Sequence, residues 1–144
     1  MNNSTYKHKE ITDKIIKSFY EVYNELGHGF LESIYERALY IVLKSQDMNV
    51  ERQKDITVYF REHIVGELRV DMIVAEKVIV EIKAVRELAP EHKAQLINYL
   101  KATDIEVGLL INFGQRPEIK RFIFDNKRKI ICDDLCKSVA IEEK

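Results

Sequence analysis

The feature that most constrains this fold is the segment 78–85, in which Glu81 and Lys83 interrupt a run of β-branched and aliphatic residues. Such residues favour strands, and alternate residues of a strand face the same side of the sheet. Glu81 and Lys83 therefore share one face with Ile79 and lie about 7 Å apart along the strand. The segment predicts a strand that presents a carboxylate and an ammonium group together.

A second carboxylate is expected opposite Glu81, on the strand that precedes it. If residues 75–77 form a three-residue connection, Val74 pairs with Val78, and counting outward places Asp71 opposite Glu81. Opposed residues share a face, with their Cβ atoms about 5 Å apart. Residues 68, 70, 72 and 74 would then share the other face. A two-residue turn would place Glu81 on the wrong side, so the prediction depends on the loop length.

Two carboxylates placed in this way repel each other, and a divalent cation removes the repulsion. Carboxylate oxygens are the ligands that Mg²⁺ prefers, so Asp71 and Glu81 predict a magnesium site, to which the backbone carbonyl of Ile82 can add an oxygen. Lys83 would orient or deprotonate an attacking water, or stabilise charge on a phosphate. The alternative interpretation is a solvated strand face on which these residues make ordinary surface contacts.

Two helices carry further candidates. Gln95 and Tyr99 are spaced i, i+4 after Pro90, so they lie on one helical face and could hydrogen-bond a phosphate or a water of the site. They could equally line the edge between helix and sheet. Glu32 and Tyr35 lie one turn apart at the start of another helix. A carboxylate there is favoured by the helix dipole alone, and the sharper interpretation makes Glu32 a third acidic metal ligand.

The hydrophobic pattern predicts a single domain over residues 1–144. Helices are expected over residues 8–26, over a segment that includes residues 31–42, and over 90–102. Strands are expected around residues 56–60, 64–74, 78–85 and 107–111, with residues 122–124 and 130–132 as further candidates. A helix between the third and fourth strands implies a right-handed crossover and parallel pairing there. The sequence therefore predicts an α/β fold.

Charge and hydropathy limit the possible functions. The formal net charge is −1, from 23 basic and 24 acidic residues, which counts against tight non-specific nucleic-acid coating but allows an enzyme with acids in a metal site. No apolar run is long enough to cross a bilayer, and a polar start without a signal sequence predicts the cytoplasm. Cys132 and Cys136 lack two further zinc ligands, so we interpret them as reduced structural residues.

One motif resembles a known family. Gly29-x-x-Glu32-x-x-Tyr35 is similar to the signature of the GxxExxY proteins, which are assigned to the PD-(D/E)XK nuclease superfamily. Asp71 corresponds to the Asp of that superfamily. Val70 stands where a proline is expected before it. The resemblance runs from about residue 10 to about residue 125.

The other motifs follow in the same order along the chain. Glu81-Ile82-Lys83 resembles the (D/E)-x-K motif, and Gln95-x-x-x-Tyr99 resembles the Q-x-x-x-Y motif of RecB-like nucleases. The resemblance implies a restriction-endonuclease-like αβββαβ core with a mixed sheet flanked by helices. It also implies Mg²⁺ or Mn²⁺ and cleavage of nucleic-acid phosphodiesters, most readily those of DNA.

The residue pattern and the resemblance together predict three overlapping sets of site residues. The catalytic set is Asp71, Glu81 and Lys83; the supporting set is Gln95, Tyr99 and Tyr35; and the metal ligands are Asp71, Glu81, Glu32 and the Ile82 carbonyl. The alternative function is an inactive nucleic-acid-binding or protein-interaction module on the same fold. A homodimer acting on branched DNA is a further possibility.

Overall fold

A computed structural model describes residues 7–129. The described helices are α1 Lys9–Leu26, α2 Glu32–Lys44 and α3 Pro90–Lys101, and the strands are β1 Val50–Phe60, β2 His63–Val74, β3 Val78–Lys83, β4 Val107–Phe113 and β5 Pro117–Ile123. The predicted element order is confirmed. The predicted strand at residues 130–132 and the two cysteines lie outside the described residues. None of the described helices combines the length and apolar character needed to span a membrane.

The strands form one mixed sheet in the order β1-β2-β3-β4-β5. β3 and β4 are parallel, and the other neighbouring strands are antiparallel. Parallel neighbours need a long crossover, which α3 supplies here. All seven residues of β4 are buried, as expected for a strand covered on both faces. The α/β fold with a mixed sheet flanked by helices is confirmed.

Helices cover the sheet on both faces and create two hydrophobic clusters. α1 and α2 pack on one face. There the Phe113 ring stacks on Tyr35 with centroids 4.3 Å apart, and the centroid of Phe19 lies 4.6 Å from that of Phe113. α3 packs on the other face through Leu96 and Leu100. β3 therefore lies between two buried layers, and polar side chains on it are withdrawn from water.

The connection between β2 and β3 has the predicted three residues. Val74 pairs with Val78, and the next pairs continue outward from them in the expected register. Ala75 and Glu76 adopt left-handed backbone conformations, with φ of 55° and 58°, which turn the chain tightly enough to close this hairpin. The predicted register is confirmed for the three pairs from Val74–Val78 to Met72–Val80, next to Asp71 and Glu81.

The pairing of β1 with β2 is interrupted at Gln53, which has a φ of 51°. Its two neighbours pair with Met72 and Val70, but Gln53 itself and Asp71 are not a ladder pair. Val70 packs with Ile73 in the cluster under α3, whereas Met72 lies in the other cluster. The common face predicted for residues 68, 70, 72 and 74 is therefore wrong. The change of face coincides with the interrupted ladder at Gln53, and an extra residue in one strand distorts the pairing locally.

Candidate active site

Asp71 lies where β2 and β3 separate. The last paired residues of these strands are Met72 and Val80. Just beyond them, the Ile82 backbone N–H donates to Asp71 Oδ2 at 2.8 Å, so the carboxylate takes the place of a backbone partner. Burial raises the pKa of Asp71, and the Ile82 hydrogen bond and the positive charge of Lys83 oppose that rise. Asp71 is thus fixed directly beside the backbone of the Glu-x-Lys strand.

Glu81 is the most deeply withdrawn of the predicted acidic residues. The residue is 4% exposed, and its Oε2 atom lies 3.5 Å from Lys83 Nζ. Its Oε1 atom is buried and accepts no hydrogen bond from any residue within 7–129. Burial, followed by the nearby charge of Asp71, raises the pKa of Glu81 to about 8. A buried oxygen without a partner is costly, unless the site also receives a cation.

The two carboxyl groups predict how the stability of the metal-free protein depends on pH. The pKa of Glu81 is about 8 in the folded chain, against an ordinary value of 4.5, so the folded chain holds this proton more tightly than the unfolded chain does. The contribution of Glu81 to the free energy of unfolding should be greatest below about pH 4.5 and should decrease as the pH rises to about 8. The pKa of Asp71 is raised too and acts in the same direction. Melting temperatures measured with EDTA across this range check the expectation.

The matched variant for that measurement is Glu81→Gln, which keeps the size of the side chain and cannot ionise. Its melting temperature should fall less steeply with pH than that of the wild type. Parallel curves for the two proteins would show that Glu81 does not titrate in this range.

Lys83 lies beside Glu81 and is held by α3. Its Nζ atom donates to Gln95 Oε1 at 3.3 Å, in addition to its contact with Glu81. Tyr99, one turn further along α3, is buried. Burial, followed by the charges of Glu81 and Asp71, raises the pKa of Tyr99 to about 12, so its hydroxyl stays a hydrogen-bond donor at neutral pH. The structure therefore brings the two α3 residues and the two carboxylates together.

Glu32 reaches the end of β3 from the start of α2. Its Oε2 atom accepts a hydrogen bond from the Ala84 backbone N–H at 3.1 Å, and its charge contributes to the raised pKa of Asp71. Tyr35 is fully buried. Its hydroxyl donates to the Gly27 carbonyl at 2.6 Å and accepts from the Phe30 N–H at 3.2 Å. Tyr35 thus fixes the loop that leads into Glu32.

The oxygen ligands at the end of β3 suit a hard divalent cation that also keeps bound water. Asp71, Glu81 and the Ile82 carbonyl all offer oxygen, and Glu81 Oε1 has no partner within the described chain. Between residues 7 and 129, no three Asp, Glu, His or Cys side chains form a group that could hold an ion by themselves. Mg²⁺ is commonly held by one or two carboxylates and keeps several waters, so a pair of carboxylates suits it.

Sequence reasoning missed Asn112, Gln53 and Glu36. Asn112 is fully buried, and its side-chain amide accepts from the Val85 N–H and donates to the Val85 carbonyl, each at 2.9 Å. This amide clamp fixes the chain two residues after Lys83. Its signal in the sequence is a single amide within the apolar strand 107–113, because a buried polar group needs a partner.

Comparison with known proteins shows the family and the fold of this chain. A family model described as the PD-(D/E)XK nuclease superfamily matches residues 9–122. The crystal structure of SSO0001 has 24% sequence identity and a TM-score of 0.53, over 65% of this chain and 50% of that one. It supports the fold alone, and this chain spans half its length. No curated protein matches the sequence. Because the family model covers most of the chain, this protein belongs to the PD-(D/E)XK nuclease superfamily.

Proposed function

We propose that this protein is a nuclease that hydrolyses the phosphodiester bonds of DNA and depends on Mg²⁺ or Mn²⁺. The observation that carries the proposal is the convergence of Asp71, Glu81 and Lys83 at one end of β3, with a buried Glu81 oxygen that has no partner among residues 7–129. A sheet gains nothing from two acidic side chains withdrawn from water. A cation with a phosphate substrate gives both acids and the lysine a function.

The metal ligands in this proposal are the Asp71 and Glu81 carboxylates and the Ile82 carbonyl, with Glu32 close behind them. The ion, when bound, supplies charge neutralisation and a lowered pKa of water. Asp71 is ready to bind because its Oδ2 atom is already oriented by the Ile82 N–H. Glu32 is held at the Ala84 N–H and is the further acidic ligand in this proposal.

Lys83 acts on the substrate and the attacking water. Its ammonium group orients the water, or stabilises charge that develops on the phosphate oxygens as the water attacks in line with the departing 3′ oxygen. Gln95 holds the amine from the side of α3. The Tyr99 hydroxyl, un-ionised at neutral pH, donates a hydrogen bond to the phosphate or to a water of the site.

We also infer that the chain belongs to the GxxExxY group within the superfamily, because the three residues of that signature act as one unit. Gly29 has a φ of 114°, a conformation that favours glycine. The Tyr35 hydroxyl fastens the loop around it, and Glu32 then reaches the Ala84 N–H. The motif therefore places the Glu32 carboxylate of α2 at the end of β3.

Metal binding should stabilise the folded protein. A ligand that binds only the native state adds about 2.7 kcal/mol at a hundred times its Kd, so Mn²⁺ should raise the melting temperature. Asp71→Asn should abolish most of the increase, whereas Asp13→Asn, an exposed acid on α1, should keep it. An increase of equal size in both variants would place the metal elsewhere.

The function itself is tested by incubating the protein with single-stranded, duplex and branched DNA and with RNA, in Mn²⁺ and in EDTA. Metal-dependent cleavage of DNA supports the proposal and identifies the preferred structure. Light scattering on the same samples tests whether the acting species is a homodimer. If no substrate is cleaved and no metal raises the melting temperature, the protein is instead a binding module on a nuclease fold.

A further inference from the structure

We propose that Gln53 and Glu36 form a bridge that holds the Asp71 carboxylate in place, which makes Gln53 a positioning residue of the active site. This inference rests on the nuclease function proposed above. Gln53 Nε2 lies 2.7 Å from Glu36 Oε1 and 3.4 Å from Asp71 Oδ1. A side-chain amide nitrogen carries two hydrogens, so it can donate one to each carboxylate.

The bridge gives the Asp71 carboxylate its second fixed point. Oδ2 is held by the Ile82 N–H on β3, and Oδ1 faces the Gln53 amide on β1. A carboxylate with one anchor rotates about its Cβ–Cγ bond, whereas two anchors on opposite sides set its plane. The plane of Asp71 determines where its oxygens point relative to Glu81, and hence the geometry that is offered to a metal ion.

Glu36 is itself held firmly enough to serve as the base of the bridge. The residue is 7% exposed, and its Oε2 atom accepts a hydrogen bond from Arg52 Nη1 at 3.2 Å. The Arg52 guanidinium also lies over the Tyr40 ring, 4.9 Å from its centroid. Glu36 belongs to α2, the helix that carries Glu32. The bridge therefore connects the position of Asp71 to the helix that also carries Glu32.

The backbone at Gln53 supports a role for its side chain. Its φ of 51° is in the left-handed region, where a residue with a side chain is strained. The ladder between β1 and β2 is interrupted there, opposite Asp71. A regular strand without this interruption would not need a left-handed residue at this position. A glutamine in this conformation instead places its amide between two carboxylates, so the strain coincides with a function.

The test uses the full-length protein and two variants of the same residue. Gln53→Met keeps the length of the side chain and removes its donors. Gln53→Gly also suits the left-handed backbone. Both should weaken Mn²⁺ binding about tenfold, as changes to groups that support metal ligands commonly do. We expect kcat to fall and the KM for DNA to stay unchanged. Free Mn²⁺, counted by electron paramagnetic resonance, gives the affinity without any turnover.

The control variant is Asp47→Gly, because Asp47 is exposed and also left-handed, with a φ of 63°. It should leave the Mn²⁺ affinity unchanged. The bridge is overturned if Gln53→Met binds Mn²⁺ and cleaves DNA as the wild type does.

A separate measurement distinguishes the bridge from the proposed function. If the wild type neither binds Mn²⁺ nor cleaves, the nuclease proposal fails. The bridge is then judged by hydrogen exchange of the Ile82 amide in the metal-free protein. The inference stands if this amide exchanges faster in Gln53→Met while the Val80 amide does not change, and it fails if neither rate changes.

Discussion

Lys83→Met should reduce kcat for metal-dependent DNA cleavage by at least about 100-fold, which is the lower range for losing a group that moves or stabilises charge in a transition state. The methionine keeps the length and apolar stem of the lysine, whose side chain is only 16% exposed, so the fold should be retained. We expect kcat to fall because the Lys83 ammonium group, which lies beside the Glu81 carboxylate, is the group that faces the phosphate and the attacking water in the proposed mechanism.

Two comparisons separate this effect from a general loss of charge. Lys77→Met removes an exposed lysine from the turn before β3 and should leave kcat unchanged. The Mn²⁺ affinity of Lys83→Met should be equal to or higher than that of the wild type, because the variant loses a positive charge beside the ligands. Asp71→Asn should lose both binding and cleavage. Wild-type turnover in Lys83→Met would remove Lys83 from the mechanism.

The main elements of this site were predictable because they depend on local rules. Alternation along a strand placed Glu81 and Lys83 together, and the length of one turn placed Asp71 across from them; the register confirms that turn. The i, i+4 spacing of Gln95 and Tyr99 required only a helix. Each of these inferences uses spacing within a short segment and does not depend on how distant segments pack.

The parts that escaped prediction depend on distant contacts. Gln53 lies 18 residues before Asp71 and 17 after Glu36, and its left-handed conformation has no local signal of the kind that a glycine provides. Asn112 hydrogen-bonds Val85, which is 27 residues away in the sequence. The motif predicts Tyr35 as a site residue, but its ring packs on Phe113. A buried polar side chain can be predicted from the sequence only when the group that it hydrogen-bonds is also known.

Gly114→Ala should destabilise the protein by about 3 kcal/mol or more, at or above the upper range for overpacking. A Cβ atom at Gly114 would lie 2.2 Å from the Val85 carbonyl oxygen and 3.0 Å from Asn112 Nδ2. These two atoms form one of the hydrogen bonds of the amide clamp. Backbone cannot rotate away as a flexible side chain does, so the alanine must displace either the end of β4 or the chain after Lys83.

The neighbourhood of Gly114 leaves little room for such a displacement. The Tyr23 hydroxyl lies within hydrogen-bond distance of the carbonyls of Gly114 and Gln115, at 2.9 and 2.8 Å, which fixes the strand end against α1. The strand end is therefore held from both sides, and relaxation would break either these contacts or the clamp.

Gly66→Ala is the matched control, because a Cβ atom there meets nothing within 4 Å. Its stability should change by less than about 0.5 kcal/mol, as for an ordinary surface change. Urea unfolding of both variants in EDTA gives the two free energies without any contribution from metal. If Gly114→Ala were as stable as Gly66→Ala, the end of β4 would be more adaptable than this packing allows, and the amide clamp would not be what fixes the chain after Lys83.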